Sequence, residues 1–520
     1  MPDEFDAIVL GAGHNGLIVG AYLARAGLSV LCLERRERPG GGLATIESPT
    51  GSGFFHNTHS FFHRGVTQLP WFNDLELARH EVQYVTPHAN VALVTSEGRA
   101  LIWHTEIDKT LASVAQFSER DAETLGLWTG RFRTIVDNVL RPEAESPPWP
   151  PDVRRHRWKE SSDGRQLLEL EALSPWDFVT REFEHPTVQA GLLFFNGLRE
   201  INLMQPGMAH HIPALFASQR MAQMCIGGSG KLAEGLVTAF ESFGGAVITG
   251  VELDRLLVHH DRVTGVKTKC GQHFRAKHLV VSSLNPQQTF LELLGNQHVS
   301  SRWRSRARNF HYNLIAPLFG LYANLSSPPL YGVGDAAASV DDALMVIVGL
   351  DRANQFSDIV QHHQAGTIPS TVMWGSCPSR FDATQAPPHR HTAFMWEKLP
   401  YRLNGDPRQW DQQKQQHGEK MISVWQEYSH EIRKHLLDWF VASPLDTERS
   451  LPNMRQGDLL VGSFTHGQLG YHRPFPGAGH YRSHLQGLYL CGSCCHPGGN
   501  VTGLPAYNSA QVILSDLGLT

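Results

Sequence analysis

Residues Asp6 to Gly42, DAIVLGAGHNGLIVGAYLARAGLSVLCLERRERPGGG, spell out a complete βαβ unit, and no other segment narrows the choice of fold as far. The apolar run Ala7 to Leu10 suits a buried parallel strand and breaks at once into Gly11, Gly13 and Gly16. Gly11 permits the tight turn, Gly13 lets the backbone approach a pyrophosphate, and Gly16 lets the following helix pack closely on the strand. That helix, Leu17 to Ala26, directs free N–H groups and its positive end at the phosphates, and Gly27 stops it. A second strand, Ser29 to Leu33, ends in Glu34, whose carboxylate suits ribose hydroxyls and repels a 2′-phosphate. Strand, loop, helix, strand and acid in register point to a dinucleotide with an unphosphorylated adenosine ribose.

The unit alone does not separate NAD from FAD. Its continuation, Arg35 to Thr45 (RRERPGGGLAT), carries a second glycine cluster directly after the ribose acid. At the far end, Gly487 to Ala510 (GLYLCGSCCHPGGNVTGLPAYNSA) reads as another strand, Leu488 to Cys491. It breaks into Gly492, Gly498, Gly499 and Gly503 before a helix from about Tyr507, which suits a ribityl-pyrophosphate and the pyrimidine edge of a flavin.

These two ends resemble the amine oxidase and phytoene desaturase superfamily, in particular its phytoene desaturase and carotenoid ketolase-like branch, which includes pyridine nucleotide-disulphide oxidoreductase domain proteins. Looser matches to that branch run through Ile226 to Leu236, Leu279 to Pro286, Ser376 to His391 and Gly457 to Tyr481. The resemblance implies an α/β fold: a Rossmann-like FAD-binding domain of glutathione reductase or amine oxidase type, with an inserted α+β substrate domain. It implies FAD as cofactor, with contacts at Gly11, Gly13, Gly16, Glu34, Arg35, Gly41, Gly42, Val251, Gly492, Ser493, Gly499 and Val501; Val251 is placed at the adenine. The chain departs from the pattern at Gly42, where many relatives have Arg, at Ala506, where many have Gly, and at His56 and His59, where relatives often show Asp and Gly.

The cofactor motifs fall within 1–70, 220–300 and 455–520, which predicts a discontinuous FAD domain and leaves 71–219 and 301–454 for the substrate domain. In the first insertion Ile107 to Leu140 reads as helical, and the Pro-rich stretch Pro142 to Pro151 reads as an exposed loop. In the second, Asn313 to Leu325 and Thr392 to Trp396 read as strands, and Gln412 to Phe440 as an amphipathic helix.

A formal net charge of -5 gives no global attraction to nucleic acid. The first strand begins near Phe5 and no run of about twenty apolar residues occurs, so the expected location is cytoplasmic. Two basic clusters, Arg154 to Lys159 and Arg302 to Arg308, are solvated faces or points of peripheral membrane contact. Seven cysteines, an odd and scattered set, do not form a disulfide scaffold. Cys491 and Cys494 make a CxxC, read as small buried residues of a cofactor loop, since thiol chemistry needs a lowered pKa. His496 stands beside them without a second ligand pair of zinc spacing, so no metal is expected.

A flavin exchanges hydride at N5, and the protein orients the reacting carbon and excludes water, which calls for an apolar slot with one weak base. His56, His59 and His496 are the candidate bases, and Phe54, Phe55, Phe61 and Phe62 the candidate walls. The leading expectation is a hydride-exchanging oxidoreductase acting on a small, largely apolar substrate, isoprenoid-like or lipid-like, with oxygen or a quinone as electron acceptor. The alternatives are an oxygen-using amine or alcohol oxidase, a redox-neutral flavin isomerase and, outside enzymes, a prenyl-binding escort protein.

Overall fold

Two seven-stranded sheets organise the chain in this computed structural model, which describes residues 4–197, 201–332 and 334–519. The first sheet is centred on β1 (Glu4–Leu10) and β2 (Val30–Leu33), which run parallel on either side of the helix α1 (His14–Arg25) in sequence. Ala246–Ile248 extends the sheet beyond β2, and His273–Ser282 lies parallel to β1 on its other side, with Ile8 opposite Val280. Arg262–Thr268 and Leu253–His259 continue it as an antiparallel pair. The strand Leu488–Leu490 docks parallel to the last residues of His273–Ser282, placing Leu488 opposite Val280.

β2 is buried throughout, as a parallel strand covered on both faces must be, and this accounts for its unbroken run Val-Leu-Cys-Leu. Helices Ser229–Ser242 and Leu504–Leu517 pack against α1 on one face of the sheet. A methyl group at Gly20 would stand 3.2 Å from the Phe240 ring, so the missing side chain sets how closely two of these helices approach.

The second sheet has the strand order Leu436–Ala442, Leu318–Leu325, His391–Lys398, Met373–Ser376, Ala343–Val348, Ala89–Val94 and Ala100–His104. Every pairing in it is antiparallel except that of Ala89–Val94 with Ala343–Val348. Helices between Ile107 and Ala217 cover one face through Phe132, Phe178 and Phe194. Helix Trp410–Tyr428 covers the other through Trp410, Met421, Ile422 and Trp425.

Three sequence expectations change here. The helix predicted over Gln412 to Phe440 ends at Tyr428, and Leu436–Ala442 is an edge strand. Its Trp439, Phe440 and Val441 favour a pleated surface, and the free edge of Leu318–Leu325 supplies their partner. The Pro142 to Pro151 stretch is not an exposed loop: Asn508 Nδ2 donates to the carbonyls of Ala144 and Ser146, and Pro148 is buried. Finally, Trp71, Phe72, Leu75, Leu77 and Val82 lie in the core beneath α1, and Tyr84–Val85 pairs with Ala222–Cys225. The chain therefore leaves the first core near residue 85 instead of 70.

Candidate functional site

The glycine loop between β1 and α1 turns sharply because Gly11 takes a left-handed φ of 87°. Gly16 lies so close beneath it that a Cβ there would stand 1.9 Å from the Gly11 carbonyl oxygen. Glu34, at the end of β2, braces the loop: its carboxylate accepts the Ala12 N–H at 2.8 Å and the Arg36 N–H at 2.9 Å. Val251 N–H donates to the Glu34 carbonyl at 2.9 Å and thereby joins the same rim. Together these residues bound a cleft of about 460 Å³, lined also by Gly13, Arg35, Gly41 and Gly42.

The C-terminal loop closes this cleft from the opposite side. Asn15 Nδ2 donates to Ser493 Oγ at 3.1 Å, a clasp between two residues 478 positions apart. Gly492 and Gly499, expected to touch the cofactor, line neither the cleft nor the cavity beside it. Their role is packing: a Cβ at Gly492 would meet the Ser283 carbonyl oxygen at 2.3 Å, and one at Gly499 the Leu460 carbonyl oxygen at 2.4 Å. Beneath the loop lies Arg473, fully buried, which donates to the carbonyls of Gly462, Ser463, Gln468, Ser493 and Cys495. Asp458, also buried, accepts the N–H groups of Asn313, Leu460 and Gly462 and sits close enough to interact with that guanidinium. Cys491, Cys494 and Cys495 are buried and unbridged, and burial pushes the Cys491 and Cys495 thiols well up, away from thiolate chemistry.

A second cavity, of about 1140 Å³, opens from the cleft. His14, Gly42, Met454 and Ser493 line both spaces and so mark the passage between them. One wall is aromatic and belongs to the second sheet and its neighbours: Phe61, Phe62, Trp374 and Trp396, with Leu318. Lys398 also lines it, buried, with Nζ donating to the Ala316 carbonyl at 2.7 Å and lying 5.8 Å from the Trp374 ring. The facing wall is the 142–151 strap with helices Pro151–Glu160 and His211–Ala217. Arg154 pairs with Glu143 there, and Arg155 with Glu171, so these two arginines of the first basic cluster hold this wall. In the second cluster Trp303 is packed against Phe290 and Phe475, and Arg304 donates to the carbonyls of Asn296 and Val299.

Of the three candidate bases, His59 and His496 line the large cavity, as does Val501. Burial lowers both imidazoles to about 4, so both are neutral near pH 7. His59 is held by Thr58 Oγ1 at 2.8 Å and Thr447 Oγ1 at 3.3 Å. His496 Nε2 donates to the Glu143 carbonyl at 2.9 Å, which leaves Nδ1 as the nitrogen with a lone pair. His56 is a correction: it lines neither space. It lies on the short strand Phe55–Asn57, and its ring points to Asn324 Oδ1, 2.8 Å from Nε2, between Tyr322 and Phe440. Its place is structural, in the seam between that strand and the second sheet.

Sequence reasoning passed over His14, Asn15, His63, Lys398 and Arg473. His63 also lines the large cavity, with Nε2 2.7 Å from Ser60 Oγ and Nδ1 2.8 Å from Tyr84 OH. His14 and Asn15 stand inside the GAGHNG loop itself, where a polar pair at the start of a helix was the available signal. Among the described residues no group of three or more His, Cys, Asp or Glu side chains is gathered as metal ligands, and no helix is long and apolar enough to cross a membrane.

Residues 9–75 match the family model of an NAD(P)-binding Rossmann-like domain. Over nearly its whole length the chain is similar to one component of the limonene dehydrogenase of Castellaniella defragrans, at 27% identity, covering 99% of this chain and 95% of the relative. It is similar to the rat pyridine nucleotide-disulfide oxidoreductase domain-containing protein 2, at 27% identity over 99% and 94% of the two chains. It is also similar to a lycopene-forming phytoene desaturase of a Paracoccus species, at 22% over 99% and 98%. Among solved structures, cyclohexylamine oxidase of Brevibacterium oxydans shares the fold, with a TM-score of 0.60 at 16% identity over 99% and 100%.

Proposed function

We infer that this oxidoreductase, a homologue of phytoene desaturases and limonene dehydrogenase in the amine oxidase-like superfamily, binds FAD and exchanges hydride with a largely apolar substrate. The observation that carries the reading is the joining of a dinucleotide cleft to a large aromatic-walled cavity through four shared residues. In keeping with it, we assign 1–70, with its continuation to about 85, 220–300 and 455–520 to the FAD domain, and the rest of 71–219 with 301–454 to the substrate domain.

The residues present fit the cofactor. α1 begins without a side-chain cap, so its first N–H groups are left for a phosphate, and nothing but the Gly41 backbone comes within 4 Å of the space a Cβ on Gly13 would fill. Gly11, Gly13, Gly16 and Gly41 would hold the pyrophosphate, Glu34 the adenosine ribose and Val251 the adenine. Arg35 would flank the adenosine, while Gly42, Ser493 and Val501 would meet the ring system. Gly492 and Gly499 serve the site by letting their loop lie flat. When bound, FAD supplies the hydride-exchanging N5.

The chain's own contribution is orientation, dryness and proton handling. Phe61, Phe62, Trp374 and Trp396 offer an apolar surface against which a hydrocarbon is held without losing hydrogen bonds. His496 lines the cavity as a neutral imidazole whose Nδ1 keeps its lone pair, which suits it to take the proton that accompanies hydride loss from a neighbouring carbon. His59, with both nitrogens engaged by threonines, is better placed to orient than to accept.

Anaerobic titration of the yellow holoenzyme with monoterpenes and polyenes, followed by readmission of oxygen or a quinone, tests this reading. Bleaching by a hydrocarbon and reoxidation by one acceptor is expected. Bleaching by amines alone, with peroxide on reoxidation, overturns the apolar-substrate assignment in favour of an amine oxidase, and a colourless protein overturns the FAD assignment.

A further inference from the structure

The two walls of the large cavity differ in charge. Phe61, Phe62, Trp374, Trp396 and Leu318 make one wall apolar, with the buried Lys398 as its charged member. Five arginines also line the space, Arg64, Arg141, Arg154, Arg155 and Arg220, against three acids, Glu143, Asp152 and Glu171. The arginines gather at the 142–151 strap and the helices beside it. Arg141 leads into the strap, Arg154 and Arg155 stand on helix Pro151–Glu160, Arg64 donates to the Leu215 carbonyl of helix His211–Ala217, and Arg220 pairs with Glu145 of the strap.

The acids do not cancel this charge at the cavity surface. Arg141 and Arg220 are held by Asp137 and Glu145, neither of which lines the space. Glu143 spends both oxygens, one on Trp158 Nε1 at 2.7 Å and one on Arg154 Nε at 2.9 Å. His210 and His211 stand on the same wall with ring centroids 4.4 Å apart, and burial, their mutual proximity and Arg154 hold both neutral. The ion pairs of Arg141, Arg155 and Arg220 each run through a single terminal nitrogen, so most of the five donors on each guanidinium are left for water or a ligand. A ligand that is hydrocarbon throughout suits the aromatic wall but strips water from these N–H groups without replacing it. A carboxylate or phosphate replaces that water with charge-assisted, bidentate bonds. At about 1140 Å³ the cavity exceeds the roughly 300 to 1,000 Å³ of pockets that bury a drug-sized ligand, so a ligand reaching both walls has room beside a flavin ring.

We propose that the substrate is an amphiphile, with an apolar body against the aromatic wall and a terminal carboxylate or phosphate bound by the arginines of the strap wall. The proposal rests on the hydride-exchange reading above and names the class of substrate it takes. Arg155 and Arg220 are specificity-determining residues in it. Anchoring one end also fixes which carbons of a long, repetitive chain come to rest beside the flavin, a choice that aromatic walls alone do not make.

The test is an anaerobic titration of the holoenzyme with geranylgeranoic acid, geranylgeranyl phosphate and the methyl ester of the acid, following the flavin spectrum, whether it shifts or bleaches. At least one anion is expected to half-saturate about tenfold to a hundredfold below the ester, and added sodium chloride to narrow that gap; the two anions tell the head groups apart. Arg155→Gln, whose partner Glu171 is itself 45% exposed, is expected to cut the preference for the anion about tenfold, and Arg220→Gln to cut it at least as far, with flavin content reporting that each variant is folded. Equal half-saturation by the anions and the ester overturns the proposal, as does an anion preference that survives both substitutions. Bleaching by a hydrocarbon with no response to either anion overturns it too. So does binding to phosphatidylglycerol vesicles that the same substitutions abolish while anions and ester stay equal, which assigns the arginines to a lipid surface. Bleaching by amines alone, or a colourless protein, instead overturns the reading on which the proposal rests.

Discussion

The cleft at the glycine loop is shaped mainly by backbone, whereas the neighbouring cavity is lined by side chains from distant segments. The cleft is shaped by Gly11, Gly13, Gly16 and Gly41 within about thirty residues, braced by one carboxylate, Glu34. The cavity takes Phe61 from one segment, Trp158 and His211 from a second, Trp374 and Trp396 from a third and His496 from a fourth. A site made of backbone tolerates no added atom and little change of ligand. A site made of side chains can be re-lined one residue at a time, which suits a fold that keeps its cofactor and varies its substrate.

The largest expected effect comes from acid. Burial holds His59 and His496 at about 4 and His63 at about 3, against an ordinary 6.5, and all three line the cavity. Their folded values are depressed, so the unfolded chain takes up protons first as the pH falls. The stability tied to these three neutral imidazoles is complete above 6.5 and is lost as the pH drops toward 4, on the order of 10 kcal/mol summed over the three. Urea midpoints at pH 7, 6 and 5 should fall steeply, and a flat profile would break the picture of a dry, histidine-lined cavity.

Next comes Gly16→Val in the cleft. With the Gly11 oxygen 1.9 Å from the new Cβ, the loop must move, at a cost of about 3 kcal/mol and with loss of retained flavin, both read from a thermal melt and an absorbance spectrum. Arg473→Met should cost a similar or slightly smaller amount, about 3 kcal/mol, because it strands Asp458 and five carbonyls beneath the C-terminal loop. The smallest effect falls on the cavity wall. Trp374→Leu is expected to leave flavin content untouched and to raise the half-saturating substrate concentration about tenfold, a change worth about 1.4 kcal/mol. Equal damage to flavin content and substrate response would erase the distinction between the two regions.

The same contrast explains what could be read from the residues alone. The glycine loop and Glu34 are local, and a turn that needs a particular φ or a vanishing side chain writes itself into a short word. Trp374 and Trp396 carry no such word, because an aromatic on a buried strand reads the same whether it faces a cavity or a core. His56 and His59, three apart, looked equivalent, and pairing of Phe55–Asn57 with Thr45–Glu47 sent one to Asn324 and the other to the cavity. Leu436–Ala442 was read as helix because the strand edge that claims it lies more than a hundred residues earlier. Arg473 was missed because its partners are all main-chain carbonyls, which sequence does not advertise.

The docking of Leu488–Leu490 beside Val280 has a consequence for how the molecule is made. β1 leaves the ribosome early, yet its parallel neighbour His273–Ser282 follows some 270 residues later, and the strand that carries the closing loop some 480 residues later. At ordinary rates of translation the nascent βαβ unit waits on the order of 20 to 90 s for that last strand. During that interval its open edge and the apolar underside of α1 have no native cover, so the growing chain is a natural client for chaperones until nearly the whole sequence has been synthesised.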